Sequence, residues 1–105
     1  MNWPAERDFG AKDKRVSTHE VEVMIANKHG LHARPVTLFV QLANKYESDV
    51  QVSDGNLTVD GKSAMSLLRL GVGRGTALKI RVKGKDSAEA AAKLTQLVND
   101  KFGEE

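Results

Sequence analysis

Polar and apolar positions alternate in four short stretches of the chain, and this alternation predicts four β-strands. Two of the strands are centred on residues 21–25 and 78–83. The other two, at 49–53 and 57–60, are separated by residues 54–56 (Asp-Gly-Asn), which favour a tight turn and therefore predict a hairpin. Because every strand keeps polar residues on one side, we expect each to have one buried and one solvated face.

Three further segments carry apolar residues at the three- and four-residue spacing of an amphipathic helix. The first segment runs from residue 36 to 46 and follows Pro35, a residue suited to the first turn of a helix. The second, at 64–70, is short and bounded by glycine, with Ser63 as its expected N-cap. Residues 86–89 (Asp-Ser-Ala-Glu) predict a capping box at the start of the third helix.

The predicted elements follow the order strand, helix, strand, strand, helix, strand, helix. A parallel sheet would be buried on both faces, so strands with a solvated face predict an antiparallel sheet covered by helices on one side only. The chain is therefore expected to fold as an α+β domain over residues 20–105. Residues 1–19 show no period of 2 or 3.6 residues, and we interpret them as a flexible N-terminal extension.

Composition excludes several classes of site. The chain has 105 residues, enough for one domain, and it has no cysteine, which excludes disulfides, thiolate metal sites and cysteine nucleophiles. The net charge is +2 and the pI is about 9.0, and the basic residues form no continuous block. The charge therefore does not indicate a nucleic acid partner. No apolar stretch approaches the ~20 residues of a membrane span. The lack of cysteine suits a cytoplasmic location, and we expect no membrane insertion. The protein is also expected to be a monomer that needs no metal or cofactor.

The best candidate for a functional site is the segment 29–35 (His-Gly-Leu-His-Ala-Arg-Pro), between the first strand and the first helix. His32 falls where the helix begins, beside backbone N–H groups such as that of Ala33, which favour a bound phosphate. A neutral imidazole in this position can accept a phosphoryl group as a nucleophile, and Arg34 can hold the phosphate oxygens. His29 lies in the preceding loop and is expected to be solvated.

Residues 30–35 (Gly-Leu-His-Ala-Arg-Pro) resemble the active-site motif of the HPr family, the histidine-containing phosphocarriers of the bacterial sugar phosphotransferase system. Three later segments, at 43–46, 59–65 and 70–75, also resemble blocks of that family at fitting separations. The resemblance extends over residues 20–102, which is nearly all of the predicted domain.

This resemblance implies an HPr-like open-faced β-sandwich with element order βαββαβα, sheet order 1-4-2-3 and three helices on one face. It implies that His32 accepts a phosphoryl group on Nδ1 from phosphorylated enzyme I, which obtains it from phosphoenolpyruvate, and passes it to an EIIA-type domain of a sugar permease. Arg34 then matches the arginine of the family's active site. Ser63 matches the regulatory serine that an ATP-dependent HPr kinase/phosphorylase modifies in some bacteria. A protein of this kind is a stoichiometric carrier rather than an enzyme.

Apolar residues crowd the short second helix, which cannot bury all of them. We expect Ala64, Met65 and Leu68 to form an exposed apolar patch beside the histidine site that binds partner proteins. We assign Leu67 and Leu70 to the core.

Two other functions stay open at this point. One is a regulatory HPr-like protein, in nitrogen-related or carbon-catabolite control, that acts mainly through protein–protein binding. The presence of His32 argues against the branch of the family that replaces the histidine and acts only through the serine. The other is RNA binding by a small basic sheet, which would use strand aromatics for base stacking, and none of the four predicted strands contains one.

Overall fold

Strands and helices alternate along residues 17–104, the part of the chain that the computed structural model describes. The strands are β1 (Ser17–Met24), β2 (Asp49–Ser53), β3 (Thr58–Asp60) and β4 (Ala77–Gly84). The helices are α1 (Ala33–Ala43), α2 (Ala64–Leu68) and α3 (Ser87–Asn99), and a 3-10 turn at Lys101–Gly103 follows α3. The order of the strands and helices is the predicted βαββαβα.

The strands form a single antiparallel sheet in the order β1-β4-β2-β3. Strand β4 pairs with β1 from Ser17 opposite Gly84 to Met24 opposite Ala77, and on its other side it pairs with β2. Strands β2 and β3 pair with each other around the Asp54 turn, as the hairpin prediction requires. The sheet order implied by the family resemblance is therefore confirmed.

The helices cover one face of this sheet and enclose the core. Alternate residues of β4 (Leu78, Ile80 and Val82) are fully buried, and they belong to one apolar cluster with Phe39 of α1 and Leu94 of α3. The predicted α+β architecture with helices on one side is confirmed. None of the helices in residues 17–104 is long and apolar enough to cross a membrane.

The opposite face of the sheet carries charged residues of both signs. Arg81 Nε lies 3.3 Å from a carboxylate oxygen of Glu20 on the neighbouring strand, and Lys79 is paired in register with Glu22. Opposite charges placed directly across two strands stabilise the pairing modestly and keep the face hydrated. The register therefore agrees with the expectation that each strand has one buried face and one polar face.

Two predicted boundaries are wrong. Strand β1 begins at Ser17, so it includes residues 17–19 of the predicted N-terminal extension. These three residues are polar, so no alternation of apolar residues marks them as a strand, although they pair with β4. Helix α1 spans Ala33–Ala43, earlier than the predicted 36–46. Residues 1–16 of the predicted extension lie outside the described residues.

The predicted capping box at the start of α3 is also wrong. Asp86 is the N-cap residue, but its carboxylate accepts hydrogen bonds from the backbone N–H groups of Glu47 (2.9 Å) and Ser48 (3.0 Å), and from the Ser48 hydroxyl. Glu89 accepts a hydrogen bond from the Tyr46 hydroxyl instead. The Ser48 hydroxyl is the main reason that the pKa of Asp86 lies below its usual value. Asp86 therefore fastens the α1–β2 connection to the start of α3.

The 3-10 turn after α3 was not predicted. Lys101 and Phe102 both have φ of 57°, a left-handed conformation that costs a side-chain-bearing residue about 1–2 kcal/mol. Phe102 is only 1% exposed and packs into the apolar core, and burial of a phenyl ring stabilises by about 2–3 kcal/mol, which offsets most of that cost. The turn brings the last described residue, Glu104, back toward the start of α1.

Candidate functional site

The loop between β1 and α1 holds His32 at the N-terminus of the helix. Gly30 has a φ of 66°, and the His32 N–H donates to its carbonyl oxygen at 3.1 Å. The next residue, Leu31, is buried, and its N–H donates to the Val72 carbonyl at 2.9 Å. These contacts tie the loop to the segment between α2 and β4 and thereby fix the position of the histidine.

Gly30 allows the close approach of these two segments, which gives a first testable prediction. A Cβ atom at Gly30 would collide with the Val72 carbonyl oxygen and lie 2.7 Å from Gly73 Cα, in a left-handed conformation that disfavours a side chain. We expect Gly30→Ala to lower the free energy of unfolding by at least about 1–2 kcal/mol, measured by urea denaturation.

Gly73→Ala is the matched control for this substitution. A Cβ atom at Gly73 meets no atom within 4 Å, so its effect should stay within about 0.5 kcal/mol. Equal denaturation midpoints for Gly30→Ala and Gly73→Ala would contradict the proposed constraint.

His32 is the N-cap residue of α1, with an extended backbone (φ −111°, ψ −168°) and no hydrogen bond from its ring to the first turn. The backbone N–H groups of Ala33 and Arg34 donate to no acceptor within residues 17–104, and Pro35 has no N–H. The His32 side chain is 39% exposed. An accessible imidazole therefore lies next to two unoccupied backbone donors at the positive end of a helix.

Glu104 contacts the imidazole from the C-terminal end of the described chain. One carboxylate oxygen lies 3.0 Å from His32 Nε2 and the other 3.4 Å from it. The Asn27 side-chain amide donates to the same carboxylate at 3.0 Å, and this hydrogen bond is the largest cause of a Glu104 pKa below the usual value. The carboxylate is therefore ionised at neutral pH.

Asn27 is fully buried and joins the loop to the C-terminal segment. Its Nδ2 atom donates both to the Gly30 carbonyl (2.7 Å) and to the Glu104 carboxylate. The sequence pattern indicated neither Asn27 nor Glu104 as a site residue, since they are 77 positions apart and neither belongs to the histidine motif. Within residues 17–104, no group of three or more His, Asp or Glu side chains is arranged to hold a metal ion.

The remaining polar residues of the segment are exposed. The ring of His29 meets that of His32 edge-to-face, with centroids 5.8 Å apart and planes at 88°. The Arg34 side chain is exposed and forms no hydrogen bond or ion pair with any residue in 17–104. With Ala33, Thr37 and Leu38 it lines a shallow depression on α1. The guanidinium is therefore available to an anion at the helix N-terminus.

Comparisons with known proteins place this geometry in a family. A family model described as the PTS HPr component phosphorylation site matches residues 19–100. The phosphocarrier protein HPr of Neisseria meningitidis serogroup A is 43% identical over 82 residues, which cover 78% of this chain and 92% of that protein. The chain belongs to the HPr family.

Solved structures of HPr proteins agree with this assignment. HPr from Thermoanaerobacter tengcongensis superposes with a TM-score of 0.80 and 46% identity, covering 83% of this chain and 98% of that one. The catabolite repression protein Crh of Bacillus subtilis gives a TM-score of 0.65 and 40% identity, covering 75% and 91%. As a member of the HPr family, the chain is a phosphocarrier of the phosphotransferase system rather than a classical enzyme.

Within this HPr fold, Ser63 begins α2. Its hydroxyl oxygen accepts a hydrogen bond from the Ser66 N–H at 3.2 Å, so the predicted N-cap is confirmed. The Ser63 side chain is partly exposed. A side chain that caps the helix and still reaches solvent can be modified without unpacking the core.

The apolar patch predicted on α2 is present. Met65 is 81% exposed, Leu68 is 49% exposed and Ala64 is exposed, whereas Leu67 is buried in the core, as expected. Met24, at the end of β1, is a further exposed apolar residue that the alternation pattern did not single out.

Proposed function

We propose that His32 is the phosphoryl acceptor of this HPr-family chain, receiving the group on Nδ1 from phosphorylated enzyme I and passing it to an EIIA-type domain of a sugar permease. The observation that supports this most directly is the partly exposed imidazole at the N-cap of α1, beside the free N–H groups of Ala33 and Arg34. The family assignment supports partners that are components of the same phosphotransferase system.

In the proposed transfer, the Nδ1 lone pair attacks phosphorus while the bond from phosphorus to the donor breaks and its electron pair returns to the donor. The phosphoryl oxygens carry the negative charge through this step, so catalysis depends on positioning and on electrostatic stabilisation. The Ala33 and Arg34 N–H groups and the Arg34 guanidinium supply donors for these oxygens. No cofactor is required, because phosphoenolpyruvate provides the group through enzyme I.

A labelling experiment tests the proposal on the full chain. Incubation with enzyme I and ³²P-labelled phosphoenolpyruvate should give an adduct that is labile in acid and stable in base, as expected of phosphohistidine. Omitting enzyme I should abolish the label, and the Neisseria HPr serves as a positive control for an active donor. An unlabelled chain beside a labelled control would contradict the phosphocarrier role.

Arg34 gives a prediction about the transfer rate. A guanidinium holds two phosphate oxygens in a fixed fork, whereas a lysine ammonium acts as a point charge. We expect Arg34→Lys to slow transfer to His32 about tenfold without changing the unfolding midpoint, since the side chain is exposed. Rapid-quench measurement of labelling checks this rate. Equal rates for the wild type and Arg34→Lys would contradict a role of the guanidinium in holding the phosphate oxygens.

We also propose that Ser63 is a regulatory phosphorylation site and that Ala64, Met65 and Leu68 form the docking surface for enzyme I. The exposed Met65 and Leu68 side chains support the docking role, because a flexible apolar patch suits a carrier that binds several partners in turn. The kinase for Ser63 would be an HPr kinase/phosphorylase, and the proposed setting for all these steps is the cytoplasm, with the carrier as a monomer.

The similarity to Crh favours a second candidate, a regulator that acts through protein binding at α2. The labelling experiment separates the two functions. A regulator would bind its partner when Ser63 carries phosphate and would receive no label on His32 from enzyme I.

A further inference from the structure

We infer that Asn27 is a positioning residue for the proposed phosphoryl transfer: its side-chain amide holds the peptide between Gly30 and Leu31 in one orientation, and this peptide leads directly into His32. The inference rests on the proposed function of His32 and deepens it. Asn27 precedes the histidine motif and touches neither the imidazole nor the first turn of α1.

The peptide between Gly30 and Leu31 is held at both of its polar atoms. Its carbonyl oxygen accepts hydrogen bonds from Asn27 Nδ2 at 2.7 Å and from the His32 N–H at 3.1 Å. Its N–H donates to the Val72 carbonyl at 2.9 Å, and the Leu31 side chain that follows is buried. Because this peptide cannot rotate while these contacts last, the backbone of His32 keeps one position at the start of α1.

A peptide next to glycine needs such an anchor. Gly30 has a φ of 66°, and glycine adopts either sign of φ at little cost, so its own backbone does not select one orientation of the peptide. A rotated peptide would remove the acceptor of the His32 N–H. It would also shift the imidazole relative to the Ala33 and Arg34 N–H groups, which are the proposed donors to the phosphoryl oxygens.

Asn27 closes this turn with its main chain as well as its side chain. The Gly30 N–H donates to the Asn27 carbonyl at 3.3 Å, while Asn27 Nδ2 donates to the Gly30 carbonyl. Lys28 and His29 occupy the exposed corner between them. The amide of Asn27 therefore fixes the turn from its buried side.

The two ends of the amide are used unequally. Nδ2 donates to the Gly30 carbonyl and to the Glu104 carboxylate at 3.0 Å, and both are acceptors, so the nitrogen must lie on this side. Oδ1 is buried and has no hydrogen-bond partner among residues 17–104. An unpaired buried oxygen destabilises a fold, and an apolar side chain of the same shape would avoid that cost. The useful property of Asn27 is therefore its donor.

The test compares the wild-type protein with Asn27→Leu, which has the same branching and donates no hydrogen bond. Asn44→Ala is the matched control: Asn44 Nδ2 also donates to two carbonyls, those of Val40 and Lys62, but at the end of α1 remote from His32. Asn27→Ala loses the same donor without adding volume. It replaces Asn27→Leu if circular dichroism shows that the larger side chain unfolds the domain.

The first readout is steady-state transfer from phosphorylated enzyme I, with the chain as the varied substrate. Loss of the hydrogen bond to Gly30 should lower the kcat of Asn27→Leu about tenfold and leave KM within about twofold, because the proposed docking surface on α2 is unchanged. Asn44→Ala should keep the wild-type kcat. A merely structural role for Asn27 would lower the unfolding midpoint and leave the kcat of the folded protein unchanged.

The second readout is amide hydrogen exchange at Leu31, whose N–H belongs to the anchored peptide. Its exchange rate is expressed relative to that of Ile80, a fully buried residue of the central strand β4, so that a change in global stability does not enter the comparison. This ratio should rise about tenfold in Asn27→Leu and stay at the wild-type value in Asn44→Ala.

A double variant separates the contact with Gly30 from the contact with Glu104. If Asn27 acts through Gly30, adding Asn27→Leu to Glu104→Gln should slow transfer by about the same factor of ten as it does in the wild type. Equal rates for Glu104→Gln and the double variant would mean that Asn27 acts only through the carboxylate, which would overturn the inference.

The outcomes distinguish this inference from the proposed function. If the wild type is labelled and Asn27→Leu matches its kcat or its exchange ratio at Leu31, the positioning role is overturned and the phosphocarrier role stands. If the wild type is not labelled beside the active Neisseria HPr, the phosphocarrier role fails and the positioning role fails with it.

Discussion

Replacing His32 with alanine is expected to abolish phosphorylation of the chain by enzyme I, because alanine has no nucleophilic atom and the neighbouring His29 cannot substitute for it. The His29 ring centroid lies 5.8 Å from that of His32, and His29 precedes the helix, away from the free N–H groups of α1. The donors for the phosphoryl oxygens would remain in His32→Ala with no acceptor beside them.

The fold should tolerate this substitution, which makes the result interpretable. The His32 ring makes no capping hydrogen bond, and its hydrogen bond with Glu104 joins two partly exposed side chains, so its loss should leave the fold intact. His29→Ala is the matched control and should keep the wild-type labelling. Normal labelling of His32→Ala, with circular dichroism showing both proteins folded, would disprove the assignment of the acceptor.

Phosphorylation of Ser63 is expected to slow the enzyme I step about a hundredfold, because it places charge within the proposed docking surface. The phosphate adds about −1.5 to −2 charges at the start of α2, next to the exposed Met65 and Leu68 side chains. The charge must be desolvated when a partner docks, and it repels acidic groups on that partner. The helix N-terminus itself accommodates an anion, so the fold should be retained.

Two variants and the phosphorylated protein separate charge from capping at Ser63. Ser63→Asp should slow labelling of His32 in the same direction as phosphoserine but less, since it has less charge and fewer oxygen acceptors. Ser63→Ala should label at the wild-type rate and lose about 1 kcal/mol of stability, because it removes the hydroxyl that accepts the Ser66 N–H. If Ser63→Asp and the phosphoserine protein are both labelled at the wild-type rate, the regulatory role is contradicted and Ser63 acts only as the N-cap of α2.

The sheet and the place of His32 at the start of α1 were predictable because their signals are local. The alternation of Leu78, Ile80 and Val82 follows directly from the two-residue period of a strand with one buried face. The side chains of Ser63 and Asp54 accept hydrogen bonds from backbone N–H groups three residues later in the chain, so sequence spacing alone predicts these contacts.

The features that were missed depend on contacts distant in sequence. Asp86 has the residue type and spacing of a capping box, yet its carboxylate serves donors near Ser48, 38 positions earlier. Glu104 reaches His32 across 72 positions and through a turn in which Phe102 adopts a left-handed backbone. No periodic sequence pattern predicts the contact between Glu104 and His32, because it depends on how α3 packs against the sheet.

The direction of β1 determines where this protein can be attached to a surface or a reporter without obstructing transfer. The strand starts at Ser17, opposite Gly84, and its eight residues carry the chain roughly 25 Å toward the His32 loop. Groups joined upstream of Ser17 therefore connect to the fold at the end remote from the imidazole. A tag fused after Glu105 would instead follow closely on Glu104, whose carboxylate contacts His32. Immobilisation through the upstream end is the arrangement that leaves the histidine accessible to large partner proteins.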